Sequence, residues 1–158
     1  LMKLLRKYMV DCLERTAKNN MRVRVIGDKT GLSEDIQKSI ADVEEASAGN
    51  TGLNFTIAIN YGSRDEICRA VKKIVAEGIA PEDITEQVIS DHLDTAGIPD
   101  PDLLIRTSGE LRLSNYLMWQ LAYTEFYFTP VLWPDYNKET MIEAIRAYSK
   151  RDRRFGGV

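Results

Sequence analysis

The chain has 158 residues, of which 44% are hydrophobic and 28% are charged, and its net charge is −3 at pH 7. This length and composition are typical of one soluble globular domain, so we expect residues 1–158 to form a single domain. The negative net charge gives no reason to expect nucleic-acid binding. No apolar run reaches the length of a membrane span, and two cysteines are too few for a disulfide framework, which favours a reducing, cytoplasmic setting.

The first segment, residues 1 to about 18, has apolar side chains at the spacing of one helix face. These side chains are Leu1, Leu4, Leu5, Tyr8, Met9, Cys12 and Leu13. The pattern predicts an amphipathic helix whose apolar stripe faces a core.

Two strand–helix pairs are predicted next. Residues 21–26 form a short strand, and residues 33–47 form a helix with one apolar face. Alternating apolar residues predict a second strand over residues 53–60. The helix after it is expected to begin at Ser63, because Ser63 and Glu66 have the spacing of a capping box.

Asn60 and Arg64 follow the carboxyl end of the second strand, where ligands bind in open α/β sheets. Turn chemistry beside a solvated arginine explains the same residues, and the pattern alone leaves both interpretations open. A short helix is predicted over residues 85–93. It contains His92, the only histidine, and we expect no general-base or metal chemistry from it because the sequence shows no partner nearby.

The central stretch, residues 102–135, reads as strand, break, helix and strand. The first strand ends at Arg106 and Thr107, and the second covers residues 125–128. Between them, Ser114 is predicted to cap a helix from about residue 115 to residue 123. A last helix is predicted with Asn137 as its cap. A basic tail over residues 150–157 follows it, and such a tail alone usually indicates a solvated terminus.

Positive charge gathers where the first of these strands ends. Arg106, Arg112, the Ser114 hydroxyl and the predicted helix N-terminus lie within a few residues of each other. Guanidinium groups and helix N-termini both favour anions, so the pattern predicts a phosphate or diphosphate site. The alternative is that Ser114 is only a helix cap and that the arginines pair with Glu110 and other surface acids.

The alternation of strands and helices predicts an α/β fold with a parallel sheet of four strands flanked by helices. The sequence contains no dinucleotide fingerprint, Walker loop, nucleophile elbow or zinc-ligand spacing. These absences argue against dehydrogenase, nucleotidase, hydrolase and zinc functions.

Several long segments resemble the signature of the cis-prenyltransferase family, in particular its bacterial undecaprenyl diphosphate synthases. The segments are RVRVIGD, GNTGLNFTIAIN, NYGSRDEI, RTSGELRLSNYLMWQLAYTEFYF, LWPD and RDRRFGG, in this order. The resemblance implies condensation of isopentenyl diphosphate onto an allylic diphosphate, such as farnesyl diphosphate, with new cis double bonds. The product would be the polyprenyl lipid carrier for cell-wall synthesis. It also implies magnesium (Mg²⁺), a homodimer, peripheral membrane contact, and a lipid tunnel walled partly by the first helix.

The same resemblance assigns roles to individual residues. Arg106, Arg112 and Ser114 match the family residues that hold isopentenyl diphosphate, and Asn60 is added as a substrate-binding candidate. Glu125 matches a glutamate that helps to hold Mg²⁺ near this site. The tail element is expected to reach across the dimer interface to substrate phosphates, through Arg154 and Gly156.

One family segment has no counterpart in these 158 residues. The family begins with a DGNGRWA-type phosphate loop that carries the catalytic aspartate, and a second strand and a serine-rich loop follow it. We therefore expect the chain to match the C-terminal two-thirds of the family, without its first two strands, and to have little turnover alone. We also expect exposed strand edges to need a covering contact. A non-catalytic accessory subunit and a generic phosphate-binding module are the alternatives.

Overall fold

The computed structural model describes residues 18–151 and, before them, Tyr8, Cys12, Arg15 and Thr16. Most of the helix predicted for residues 1 to about 18, and the tail residues Arg154 and Gly156, lie outside the described residues. The chain divides into two compact units, Leu1–Ala96 and Gly97–Val158. Among the residues that are described, no helix is both long and apolar enough to cross a membrane.

From Arg22 onwards, the described residues of the first unit form one parallel strand pair and three helices. Its strands are β1 (Arg22–Ile26) and β2 (Asn54–Ala58), and its helices are α1 (Glu34–Ser47), α2 (Ser63–Ala76) and α3 (Glu86–His92). Val23 lies opposite Phe55 in the pair, and Ile26 lies opposite Ala58. Short 3-10 turns cover Lys29–Gly31 and Pro81–Asp83. The helix α1 makes the crossover between the two parallel strands.

The core of the first unit forms between α1 and the strands. Ile36 and Ile40 are one helical turn apart on α1, and both are 1% exposed. They cluster with Val25 of β1, and Leu32, Ile57 and Ile59 pack against this cluster. The predicted apolar face of α1 is confirmed, because four-residue spacing places these isoleucines on the same side of the helix.

The edge of β1 that does not face β2 is closed by side chains. Oxygens from α1 and from the segment after α3 accept the backbone N–H groups of alternate β1-edge residues. The pairs are Val23 with Ser47 Oγ (3.0 Å), Val25 with Glu44 Oε1 (2.7 Å) and Gly27 with Asp94 Oδ2 (3.0 Å). Since these donors are satisfied, this edge of β1 does not offer them to another strand. The expectation that other strand edges are exposed stays a prediction.

The second unit has a parallel pair of strands followed by a helix. Its elements are β3 (Leu103–Arg106), β4 (Glu125–Phe128), a 3-10 turn (Trp133–Asp135) and α4 (Lys138–Ser149). Leu103 lies opposite Glu125, and Arg106 lies opposite Phe128. Asn137 caps α4 in a full capping box with Thr140, which confirms Asn137 as the predicted cap. The α/β class with parallel strands and flanking helices is confirmed. The prediction of one sheet of four strands is not confirmed, because the described strands form two two-stranded sheets, β1 with β2 and β3 with β4.

The prediction of a helix between β3 and β4 is wrong. Residues 114–123 form turns and bends, and Ser114, Asn115 and Leu117 have φ angles of 52°, 61° and 46°. An α-helix needs φ near −63° and an N-cap residue is extended, so Ser114 is not a helix cap. The contribution that a helix dipole was expected to make to anion binding is therefore absent from this loop.

The prediction of a capping box at the start of α2 is also wrong. Ser63 is the first helical residue, and Gly62 takes the cap position without a side-chain hydrogen bond. Glu66 is fully buried instead. Its two carboxylate oxygens accept hydrogen bonds from the Tyr61 hydroxyl at 2.5 Å and from the Asp94 N–H at 2.9 Å. Glu66 thus joins α2 to the segment after α3.

Candidate anion-binding site

A cavity of about 340 Å³ opens beyond the carboxyl end of β3 in the second unit. It is lined by Leu104, Ile105, Arg106, Thr107, Ser108, Glu110, Arg112, Leu113, Tyr116 and Trp133. Its volume falls at the small end of ligand sites, which range from about 300 to 1,000 Å³. The lining combines charged groups with a wall of large apolar side chains.

Two arginines bring positive charge to this cavity. Arg106 is the last residue of β3, and its Nη1 donates to Ser114 Oγ at 3.3 Å. Arg112 lines the same cavity, and its Nη1 pairs with Glu110 Oε2. The structure therefore brings together Arg106, Arg112 and Ser114, as the sequence predicted. It also contains the Arg112–Glu110 pair that the alternative interpretation expected.

The turn after β3 directs these side chains. Ser108 and Gly109 have φ angles of 67° and 69°, in the left-handed region that favours glycine. Their N–H groups donate to the carbonyl oxygens of Val131 at 2.8 Å and Thr129 at 2.9 Å. These two amides are therefore already bonded within the fold.

The other side of the cavity is apolar. Leu113, Tyr116 and Trp133 form this wall, and Trp133 is 72% exposed. The Trp133 ring stacks on Tyr136 with centroids 6.1 Å apart and an interplanar angle of 9°. Burial raises the pKa of the Tyr116 hydroxyl. A ligand with an anionic head and a short hydrocarbon tail would match both sides of the cavity.

The structure places Glu125 away from this cavity. Glu125 is the first residue of β4, opposite Leu103, whereas Arg106 lies opposite Phe128 at the other end of the pair. Three residues of strand separate these two ends by about 10 Å. Arg151 engages Glu125, with its Nη1 2.5 Å from Glu125 Oε2 and its Nη2 2.8 Å from the Phe126 carbonyl oxygen.

The described residues do not form a Mg²⁺ site by themselves. Within them, no group of three or more His, Cys, Asp or Glu side chains is placed to hold a metal ion. Mg²⁺ prefers several oxygen ligands, and the partner of Glu125 here is a guanidinium. The role of Glu125 in metal binding therefore stays a prediction.

Asn60 belongs to the first unit and follows β2. Its Nδ2 donates to the Asp28 carbonyl oxygen at 2.8 Å, and the Asp28 N–H donates to the Asn60 carbonyl oxygen at 3.1 Å. Gly27 has a φ of 114°, and a Cβ there would overlap the Ile59 carbonyl oxygen. Asn60 thus joins the turn after β2 to the turn after β1, which agrees with the turn-chemistry interpretation.

The sequence did not reveal a charged network that supports the same turns. The guanidinium of Arg69 binds Asp94 through two hydrogen bonds of 2.7 Å and Asp65 through one of 2.8 Å. Burial favours the neutral form of Asp94, but hydrogen bonds from Arg69 and Gly27 outweigh it and lower the pKa of Asp94. The four-residue spacing of Asp65 and Arg69 was readable as a helix pair, whereas Asp94 lies 25 residues from Arg69.

His92 has partners that the sequence did not show. Its Nε2 lies 3.0 Å from Glu77 Oε2, and its Nδ1 lies 2.6 Å from the Val88 carbonyl oxygen. The hydrogen bond with Glu77, together with the Val88 carbonyl, raises the pKa of His92. The contact with Glu77 connects α3 to the end of α2. The expectation that His92 has no general-base or metal role stays a prediction.

Comparison with known proteins identifies the family. A family model described as "Putative undecaprenyl diphosphate synthase" matches residues 1–156. The isoprenyl transferase of Geobacillus kaustophilus is 52% identical over 162 aligned residues, which cover 100% of this chain and 63% of that protein. The ditrans,polycis-undecaprenyl-diphosphate synthase of Vibrio vulnificus is 48% identical over 160 residues, which cover 99% of this chain and 64% of that protein. The chain thus spans a little under two thirds of these curated relatives.

Solved structures agree with this family. Lavandulyl diphosphate synthase from Lavandula x intermedia, in complex with dimethylallyl diphosphate, superposes with a TM-score of 0.94 at 40% identity, covering 99% of this chain and 70% of that one. A probable undecaprenyl diphosphate synthase from Campylobacter jejuni gives a TM-score of 0.90 at 35% identity, covering 99% and 73%. The curated relatives of this chain are prenyl-transferring enzymes. The chain belongs to the undecaprenyl diphosphate synthase family.

Proposed function

We propose that this chain contributes to cis-prenyl transfer, in which isopentenyl diphosphate is condensed onto an allylic diphosphate such as farnesyl diphosphate. The product would be the polyprenyl diphosphate carrier of cell-wall synthesis. The observation that carries the proposal is the cavity beyond β3, where two guanidinium groups face an apolar wall. Curated isoprenyl transferases that are about half identical to the chain support the same reaction class.

The cavity supplies contacts for the isopentenyl substrate. Arg106 and Arg112 would hold its diphosphate, because a guanidinium fork gives charge-assisted hydrogen bonds to phosphate oxygens. Ser114 would keep the Arg106 side chain in position through its hydroxyl. Leu113 and Trp133 would cover the five-carbon isopentenyl group and exclude water from it.

The apolar wall separates this proposal from a generic phosphate-binding module. Binding of inorganic phosphate alone does not require Leu113, Tyr116 and Trp133 beside the arginines. A substrate with a hydrocarbon tail gains from each of them, since burial of apolar surface is favourable by about 25 cal/mol per Å². The lining therefore favours a prenyl diphosphate as ligand.

Three further expectations stay predictions. They are the Mg²⁺ requirement, a homodimer and peripheral membrane contact. For the homodimer, Met141 and Ile145 are 42% and 50% exposed and lie one turn apart on α4, which gives an apolar strip for a second copy. Light scattering tests this assembly, and a monodisperse monomer would count against it.

Calorimetric titration of isopentenyl diphosphate into the 158-residue chain tests the site. We expect Arg106→Ala and Arg112→Ala each to weaken binding by about 1.5–3 kcal/mol, because each removes a charge-assisted contact. Arg146→Ala is the matched control, since Arg146 is an exposed arginine on α4 that does not line the cavity. Unchanged affinity in both cavity variants would reject the site.

The expectation that residues 1–158 alone have little turnover also stays a prediction. The same preparations can be incubated with farnesyl diphosphate, isopentenyl diphosphate and Mg²⁺. The amount of polyprenyl product is then measured by chromatography. Robust product formation would contradict this expectation without affecting the binding test.

A further inference from the structure

The cavity beyond β3 contains a carboxylate as well as its two guanidinium groups. Glu110 is the only acidic residue among the described residues that line the cavity, and its Oε2 pairs with Nη1 of Arg112. The Glu110 and Arg112 side chains are 40% and 62% exposed, so water and solutes reach both of them. An exposed pair of this kind is weak, and a stronger anion can displace its carboxylate.

We infer that Glu110 is an internal competitor of the diphosphate, which occupies Arg112 until the ligand displaces it. The inference rests on the proposed function, because it assigns a further role within the same site. Arg106 is in a different position: its Nη1 donates to the neutral Ser114 hydroxyl. An anion therefore reaches Arg106 without displacing a carboxylate but reaches Arg112 only by displacing Glu110.

This asymmetry predicts how the site treats anions of different length. A single phosphate can bind to Arg106 alone and leave the Glu110–Arg112 pair intact. A diphosphate that contacts both guanidinium groups must break this pair. Glu110 thus lowers the affinity for diphosphates more than the affinity for monophosphates.

Calorimetric titration at fixed ionic strength, in EDTA, tests the inference with inorganic pyrophosphate and inorganic phosphate as probes. We expect Glu110→Gln to bind pyrophosphate about twofold to fivefold more tightly than the unmodified chain, with a smaller change for phosphate. Glu143→Gln is the matched control, because Glu143 is an exposed carboxylate on α4 that does not line the cavity. Glu110→Ala repeats the test with the side chain shortened.

A double-mutant cycle with Arg112→Ala shows whether Glu110 acts through Arg112. We expect the gain from Glu110→Gln to vanish when Arg112 is absent. The inference is overturned if Glu110→Gln binds pyrophosphate no more tightly, or if its gain is the same with and without Arg112. Failure of the proposed function is distinguishable, because the unmodified chain and Arg106→Ala would then bind isopentenyl diphosphate equally poorly.

Discussion

The two strand pairs end in turns of opposite character. After β1 and β2, polar side chains are bonded within the fold: Asn60 Nδ2 donates to the Asp28 carbonyl oxygen, and the Asp94 carboxylate accepts from Arg69 and from the Gly27 N–H. After β3, Arg112 is 62% exposed and has a carboxylate partner that solvent reaches, beside an open cavity. We therefore expect that position at the carboxyl end of parallel strands does not make a binding site by itself. A binding site also needs a charged side chain beside a cavity whose ion-pair partner a ligand can replace.

Asp94→Ala should have the largest effect, and it tests the structural character of the first region. The Arg69 and Asp94 side chains are only 26% and 13% exposed, so the substitution leaves Arg69 without its main counter-charge. We expect a loss of about 2–4 kcal/mol in the free energy of unfolding, measured by urea denaturation.

Asp65→Ala is the control for this measurement. Asp65 pairs with the same guanidinium but is 61% exposed, so we expect its removal to cost less than about 1 kcal/mol. Equal losses for the two variants would show that the Arg69–Asp94 pair is not the element that holds these turns together.

Asn60→Ala tests whether the first region also binds substrate. The Asn60 amide bonds the Asp28 carbonyl, and its φ of 48° suits asparagine better than alanine. We expect the free energy of unfolding to fall by about 1–2 kcal/mol while affinity for isopentenyl diphosphate stays within about twofold. A large loss of affinity without a loss of stability would make Asn60 a ligand-binding residue, as the resemblance implied.

A smaller effect is expected from pH in the first region. The hydrogen bond with Glu77 raises the pKa of His92 above its ordinary value of 6.5, while the positive charge of Lys73 opposes this shift. The stability from this contact is fully present below pH 6.5 and is lost as the pH rises through the folded-state pKa. The melting temperature of Glu77→Gln should therefore fall further below that of the unmodified chain at acidic pH than at alkaline pH. A constant difference across this range would exclude the contact.

Local pattern predicted a large part of the fold and less of the site. The apolar spacing of Ile36 and Ile40 and the cap at Asn137 involve neighbours in sequence, and both were predicted correctly. The turns around Ser114 and Leu117 were not, because left-handed backbone there costs about 1–2 kcal/mol per residue and must be offset by tertiary contacts. Leu121, which is 4% exposed, fitted the helical spacing but is buried within turns.

Pairs that are distant in sequence set the limit of such prediction. Arg106 and Arg112 were predicted to share a site because six residues and one turn separate them. Glu125 was assigned to the same site, but β-strand register places it at the opposite end of the β3–β4 pair, with Arg151 as its partner. The Arg151 contact spans 26 residues, and no periodicity in the sequence indicates it.

A crystal structure of the chain with isopentenyl diphosphate tests most directly which of the two strand pairs carries the binding site. We expect the diphosphate beyond β3, with phosphate oxygens about 2.7–2.9 Å from the guanidinium groups of Arg106 and Arg112 and with Glu110 displaced. A diphosphate bound instead at the turns after β1 and β2, beside Asn60 and Asp28, would contradict the account.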